Sequence, residues 1–230
     1  MTVILLRHGR STSNTAHTLA GRTEGVELDE KGQGQAQALV GRVKGLPIKA
    51  VVRSPLLRCR LTVDPLAAEL GLEPVIDDRL AEVDYGQWTG LALKDLMKEP
   101  LWSVVQHQPS AAVFPGGEGL AQVQARAVAA VREHDRRLAE EHGNDVLWIA
   151  CTHGDVIKSV VADALGTHMD SFQRITADPA SMSVIRYTPI SPFVVHVNHT
   201  GAELASALSA PPPAGDDKSG DDAVVGGSTD

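Results

Sequence analysis

The chain is predicted to fold as a three-layer α/β/α sandwich around a mostly parallel central sheet. Three observations point there. Short apolar runs at Val3-Ile4-Leu5-Leu6, Ala50-Val51-Val52 and Val146 to Cys151 have the continuous hydrophobicity of strands buried on both faces. Between and after them lie segments with helical apolar spacing. Each run also stops at small polar residues just ahead of a helical pattern, the punctuation of an α/β unit.

The elements follow in order. The first run ends in a cationic turn, Arg7-His8-Gly9-Arg10-Ser11-Thr12-Ser13-Asn14. Asp29 is placed to cap a helix in which Ala36, Leu39, Val40 and Val43 keep the i, i+3, i+4, i+7 spacing. The second run passes through Arg53-Ser54-Pro55-Leu56-Leu57-Arg58 into a helix, which Leu66 to Leu70 carry to a stop at Gly71. Pro74-Val75-Ile76 reads as a short strand. A longer helix is expected from Leu120 through Val123, Ala127 and Val131 to Leu138, and the third run ends in Thr152-His153-Gly154-Asp155 before Val156, Ile157, Val160, Val161 and Ala164. Ser183 to Arg186 and Phe193 to Val197 are late strands. The second is expected at an edge because Pro189 and Pro192 flank the connection.

Composition narrows the class of function. The 230 residues carry a formal net charge of −8, which excludes the broad basic face that nucleic-acid binding needs. No apolar run reaches the roughly 18 residues of a membrane span, and Arg7 interrupts the first one too early for a signal peptide. A cytoplasmic protein is expected. The two cysteines, Cys59 and Cys151, form neither a disulfide framework nor a metal-ligand spacing and read as packing residues. Residues 1–206 are read as the catalytic domain. Residues 207–230, rich in Pro, Gly and Asp, are read as a disordered acidic tail that buries too little apolar surface to offset its ordering entropy. Homo-oligomer formation is left open.

Ligands of such sheets bind beyond the carboxyl ends of the strands. There the sequence delivers Arg7 and His8, then Arg58, then His153. Arginine offers a planar fork of donors suited to phosphate, histidine can serve as nucleophile or base, and helix N-termini add unsatisfied N–H groups that favour an anion. Ser11, Thr12 and Asn14 add neutral donors.

These segments resemble the histidine phosphatase superfamily in its phosphoglycerate-mutase-like branch. The resemblance rests on Arg7-His8-Gly9 with Asn14, Ser54-Pro55-Leu56-Leu57-Arg58, Leu80 to Gly90, Pro115-Gly116-Gly117-Glu118, and Thr152-His153-Gly154, and it reaches to about Tyr187. It implies a metal- and cofactor-independent phosphatase acting on a small phosphorylated metabolite. His8 would attack phosphorus to form a phosphohistidine, with Arg7 and Arg58 holding the phosphoryl oxygens and keeping the His8 ring neutral. His153 would donate a further hydrogen bond, and Asn14 and Thr23 would contact substrate. Glu82 would be the general acid and then the base, with Asp84 its rival in the same turn. Glu118 and Asp155 are expected to act together, behind the site or as helix caps.

Two departures from the family pattern bear on substrate contacts. Arg10 adds positive charge where Gln or Glu is common, which would favour a second acidic group on the substrate, and the 21–32 loop is about one residue longer than usual, which bears on Thr23. A phosphomutase would place extra basic residues between Gly90 and Gly117. Here there are only Lys94 and Lys98, beside Asp95 and Glu99, so water is the expected acceptor. A non-catalytic phospho-ligand binder is disfavoured by the retention of both histidines, both arginines and Glu82. His17, His107, His134, His142, His168, His196 and His199 are read as surface residues, and Trp88 and Trp102 as either pocket lining or packing.

Overall fold

In the computed structural model, residues 1–143 and 146–201 are described; the predicted tail and the last residues of the predicted catalytic domain lie outside the described residues. Strand β1 (Thr2–Arg7) leads through a short helix α1 (Thr12–Thr15) to α2 (Glu30–Arg42) and then β2 (Ile48–Arg53). After α3 (Leu57–Leu70) come β3 (Val75–Ile76), α4 (Leu93–Leu96), α5 (Pro100–His107) and the long α6 (Leu120–His142). The chain closes with β4 (Leu147–Thr152), α7 (Gly154–Leu165), β5 (Met182–Tyr187) and β6 (Pro192–His199).

The six strands form one sheet in the order β3-β2-β4-β1-β5-β6. The pairs β1 with β4, β2 with β4 and β2 with β3 are parallel, whereas β5 and β6 add antiparallel strands at one side. The expected edge position of the last strand is therefore observed. Because side chains alternate along a strand, each central strand feeds both layers. Ile4, Leu6, Val51, Ile149 and Cys151 pack with Leu39, Val43, Val63 and Leu66 of α2 and α3. Val3, Leu5, Val52, Trp148 and Ala150 pack on the opposite face with Val123, Ala127 and Val131 of α6 and Val156, Val160 and Val161 of α7. That double coverage makes the three layers.

The helix boundaries follow local chemistry. Asp29 accepts the Gly32 N–H at 2.7 Å and caps α2, and Gly71 ends α3 at a φ of 64°, in the left-handed region where a Cβ is costly. Trp88 and Trp102 turn out to be packing residues, buried and stacked with ring centroids 6.3 Å apart. Both cysteines are buried and unpaired. His134 differs from its expected surface position, being only 7% exposed. It lies four residues from both Ala130 and Leu138, so the helical period turns it to the sheet side of α6, where its ring approaches Trp148. Among the described residues, no helix is long and apolar enough to cross a membrane.

Candidate active site

Parallel pairing brings the three strand ends together. Arg7 lies level with Thr152 and Arg53 with Cys151; just beyond, the His8 N–H donates to Thr152 O and the Ser54 N–H to Cys151 O. His8, Ser54 and His153 thus emerge side by side, and the first turn of α3 supplies Arg58. All four are buried, as is Arg7. Gly9 permits the turn to lie against α2, since a Cβ there would come within 2.8 Å of Gly32 O.

The His8 ring has a fixed tautomer. Its Nδ1 is 2.7 Å from Gly9 O, which can only accept, so Nδ1 carries the proton. Nε2 then keeps its lone pair, toward which Arg58 Nε donates at 3.3 Å. Burial, reinforced by Arg58 and Arg7, holds the His8 pKa well below the usual histidine value and keeps the ring neutral. Arg7 donates to Ala177 O at 2.6 Å and Arg58 Nη2 to Gly21 O at 2.8 Å. Arg58 Nη1 is buried without a hydrogen-bond partner among the described residues.

His153 lies with its ring centroid 5.2 Å from that of His8, and burial together with Arg58 and His8 also keeps it neutral. Its Nε2 is 2.7 Å from Ser54 Oγ, while Nδ1 faces Arg58 Nη2 at 3.1 Å. Arginine has donors only, so Nδ1 is an acceptor in this arrangement.

Glu82 reaches the cluster from the chain following a single helical turn, Asp78–Leu80. Its Oε2 is 3.9 Å from His153 Nδ1, and Oε1 accepts the Val83 N–H at 3.0 Å. Burial first, then the charge of Asp155, raises its pKa to about 7 against the opposing pull of Arg58. The Asp84 carboxylate instead accepts the Gly86 N–H and shapes the turn. A Cβ on Gly86 would lie 2.2 Å from Pro115 O, so this turn and the 115–117 loop touch backbone to backbone. Glu118 and Asp155 do support the site, but separately. Glu118 accepts from the Asp84 N–H, Arg22 and Arg126, and Arg22 and Arg126 both donate to Glu82 O. Asp155 accepts from Tyr85 OH at 2.8 Å and lies 3.5 Å from Lys158 Nζ.

Asn14, Thr23 and Arg10, expected to face the substrate, have local partners within the protein. The Asn14 carboxamide oxygen accepts from the backbone N–H and hydroxyl of Ser11, closing a capping box for α1. Thr23 lies exposed in a turn whose N–H donates to Ala20 O. Arg10 is engaged by Asp29, so its charge is balanced instead of being offered to a ligand. Arg22, Arg126, Tyr85, Lys158 and the hydroxyl of Ser54 were not foreseen. Among the described residues, no group of three or more His, Cys, Asp or Glu side chains converges as a metal site.

A buried cluster of two arginines, two neutral histidines and a protonatable carboxyl at strand ends is the layout of a phosphoryl-transfer enzyme. The family model of the histidine phosphatase superfamily (branch 1) matches residues 3–200, and the chain belongs to this family. It is 29% identical over 204 residues to phosphoserine phosphatase 1 of Hydrogenobacter thermophilus, covering 86% of this chain and 92% of that protein. A bifunctional protein of Mycobacterium tuberculosis is 32% identical over 202 residues, and the match spans 86% of this chain but only 54% of that longer protein. Among solved structures, mycobacterial glucosyl-3-phosphoglycerate phosphatase in complex with VO3 superposes with a TM-score of 0.78 at 24% identity, over 86% of this chain and 99% of that one. Family and relatives together make the chain a phosphoric monoester hydrolase.

Proposed function

We propose that this phosphatase moves the phosphoryl group of a small phosphorylated metabolite first to Nε2 of His8 and then to water. The observation that carries this reading is the His8 ring itself. Gly9 O fixes the proton on Nδ1, so the free lone pair is the one that faces Arg58. In the first step the P–N bond forms at Nε2 as the P–O bond breaks, and the leaving oxygen takes the proton of Glu82. A carboxyl with a pKa of about 7 can hold that proton at neutral pH. In the second step the Glu82 carboxylate takes a proton from water, the hydroxide oxygen bonds to phosphorus, the P–N bond breaks, and both groups return to their starting states. Arg7 and Arg58 are assigned to the phosphoryl oxygens.

Water is preferred over a second substrate hydroxyl as acceptor because the 90–117 segment offers little basic charge. Lys98 there is exposed and paired with Asp95 at 3.0 Å. Two buried, unpaired cysteines fit a reducing, cytoplasmic site of action. Phosphate release across a panel of sugar phosphates, phosphoglycerates, phosphoserine and nucleotides tests the reading, beside a mutase assay with and without a bisphosphate primer. Release of phosphate without added metal supports it, and transfer to a second hydroxyl in preference to water overturns it.

A further inference from the structure

We infer that the Ser54 hydroxyl sets the hydrogen-bond polarity of His153, reversing its Nδ1 from acceptor to donor when a phosphoryl group enters the pocket. This rests on the proposed phosphoryl site and adds to it a positioning residue.

Ser54 is fully buried at the end of β2. Its Oγ accepts the Leu56 N–H at 3.3 Å and meets His153 Nε2 at 2.7 Å. In the arrangement described, Arg58 Nη2 donates to His153 Nδ1, so the ring proton sits on Nε2 and is given to Ser54 Oγ. Arg58 also donates to His8 Nε2, so a single guanidinium covers the lone pairs of both rings. A phosphoryl group draws those donors onto its own oxygens and uncovers both lone pairs. For His8 that lone pair performs the attack. For His153 a lone pair would point at oxygens that can only accept, which is repulsive.

Moving the proton to Nδ1 removes the conflict but leaves Nε2 as a buried acceptor in need of a donor. Ser54 can supply it: a hydroxyl has one hydrogen and two lone pairs, so Oγ–H can turn to Nε2 while still accepting from Leu56. Cys59 Sγ, 3.5 Å from Nε2, is the other neighbour, a weak donor also within 3.7 Å of Thr152 O. The change is proton-neutral, with one proton gained at Nδ1 and one given up at Nε2 by exchange with water. A neutral ring fits its surroundings. The groups acting on it are Arg58, Arg7 and Arg126, each opposing a positive charge, the His8 ring, and the Glu82 carboxyl.

The test is NMR of the full chain labelled with 15N-histidine, using inorganic phosphate as the probe, together with phosphate inhibition and pH profiles for Ser54→Ala and Ser54→Thr. We expect His153 to carry its proton on Nε2 without phosphate and on Nδ1 with it. In Ser54→Ala, phosphate binding at pH 8 should weaken about tenfold, because Cys59 Sγ can accept the Nε2 proton in the free state but, directed at Thr152 O, does not supply the donor that Nε2 needs once phosphate is bound. The loss should persist at pH 6, because burial and the arginines keep the ring neutral there too, and Ser54→Thr should restore wild-type binding. A lower melting temperature with phosphate binding unchanged would give Ser54 a merely structural role and overturn the inference. So would a phosphate-bound His153 that stays protonated on Nε2 alone or becomes an imidazolium. If phosphate shifts neither His8 nor His153, the phosphoryl-site reading fails and this inference falls with it.

Discussion

Two clusters of the same residue types stand five positions apart in the chain and behave in opposite ways. Around Asp77, the guanidinium of Arg79 grips the carboxylate through contacts of 2.7, 3.0 and 3.2 Å, His134 Nε2 lies 2.8 Å away, and Glu133 takes the other side of Arg79 at 2.7 Å. Burial alone would raise the Asp77 pKa, but hydrogen bonds from Arg79 and His134 hold it at about 2. Around Glu82 the balance reverses, with burial and Asp155 lifting the pKa to about 7. Arg58 there gives its hydrogen bonds to a carbonyl and two neutral rings instead of a carboxylate. Charges matched within the protein stabilise the fold. Charges left facing neutral acceptors are available to a substrate.

The comparison breaks most visibly at His8. His8→Ala should lower phosphate release by roughly 10⁴-fold or more while the protein stays folded, because it removes the nitrogen to which the phosphoryl group is transferred. Near-native circular dichroism with residual activity above that level would remove His8 as nucleophile.

Glu82→Gln should lower turnover of alkyl phosphates by roughly 10² to 10⁴-fold. With p-nitrophenyl phosphate, whose leaving group needs no proton, the same variant should give a burst of nitrophenol followed by slow turnover. Asp84→Asn should be mild with both substrates; loss of alkyl-phosphate turnover in that variant alone would transfer the role to Asp84. Wild-type kcat/KM for alkyl phosphates should fall as pH rises past about 7, the pKa to which burial lifts Glu82. Stability should respond as well. A carboxyl whose folded pKa lies above its unfolded value opposes folding once pH exceeds the unfolded value, with the full cost reached above pH 7. Glu82→Gln should therefore raise stability at pH 8, by up to about 3 kcal/mol, and change it little at pH 4.

Asp77→Asn addresses the matched cluster and should leave kcat/KM unchanged while removing about 1–2 kcal/mol of stability, solvent screening having trimmed the full shift. Because the folded pKa is depressed, the wild-type advantage should be present above pH 4 and vanish as pH falls toward 2. Denaturant melts at pH 7 and pH 2.5 read this directly. The smallest effect is expected from removing residues 209–230, whose composition offers neither a core nor a site group. Melting temperature and kcat/KM should stay within error of the full chain.

Much of the fold and site is legible in the chain alone. The strand ends were legible because a continuous apolar run reports burial on both faces, and three of them converge through parallel pairing. The late strands and the caps at Asp29 and Gly71 were legible for equally local reasons. The arginines behind Glu82 were not, since Arg22 and Arg126 reach its carbonyl only through tertiary contacts spanning 60 and 44 positions. His134 was misplaced because its sequence neighbours are charged, whereas the helical period decides which side it faces. The four-residue α4 and eight-residue α5 carry too few turns for a period to register. The tautomer of His153 needs a distance to Arg58 that no motif encodes.

The central claim is that the phosphoryl group passes through Nε2 of His8. Wild-type enzyme quenched during turnover of a 32P-labelled phosphomonoester should hold a protein-bound label that survives base, is lost in acid, and maps to the peptide containing His8. Full turnover with no trapped label, or a label on any other residue, would contradict the account.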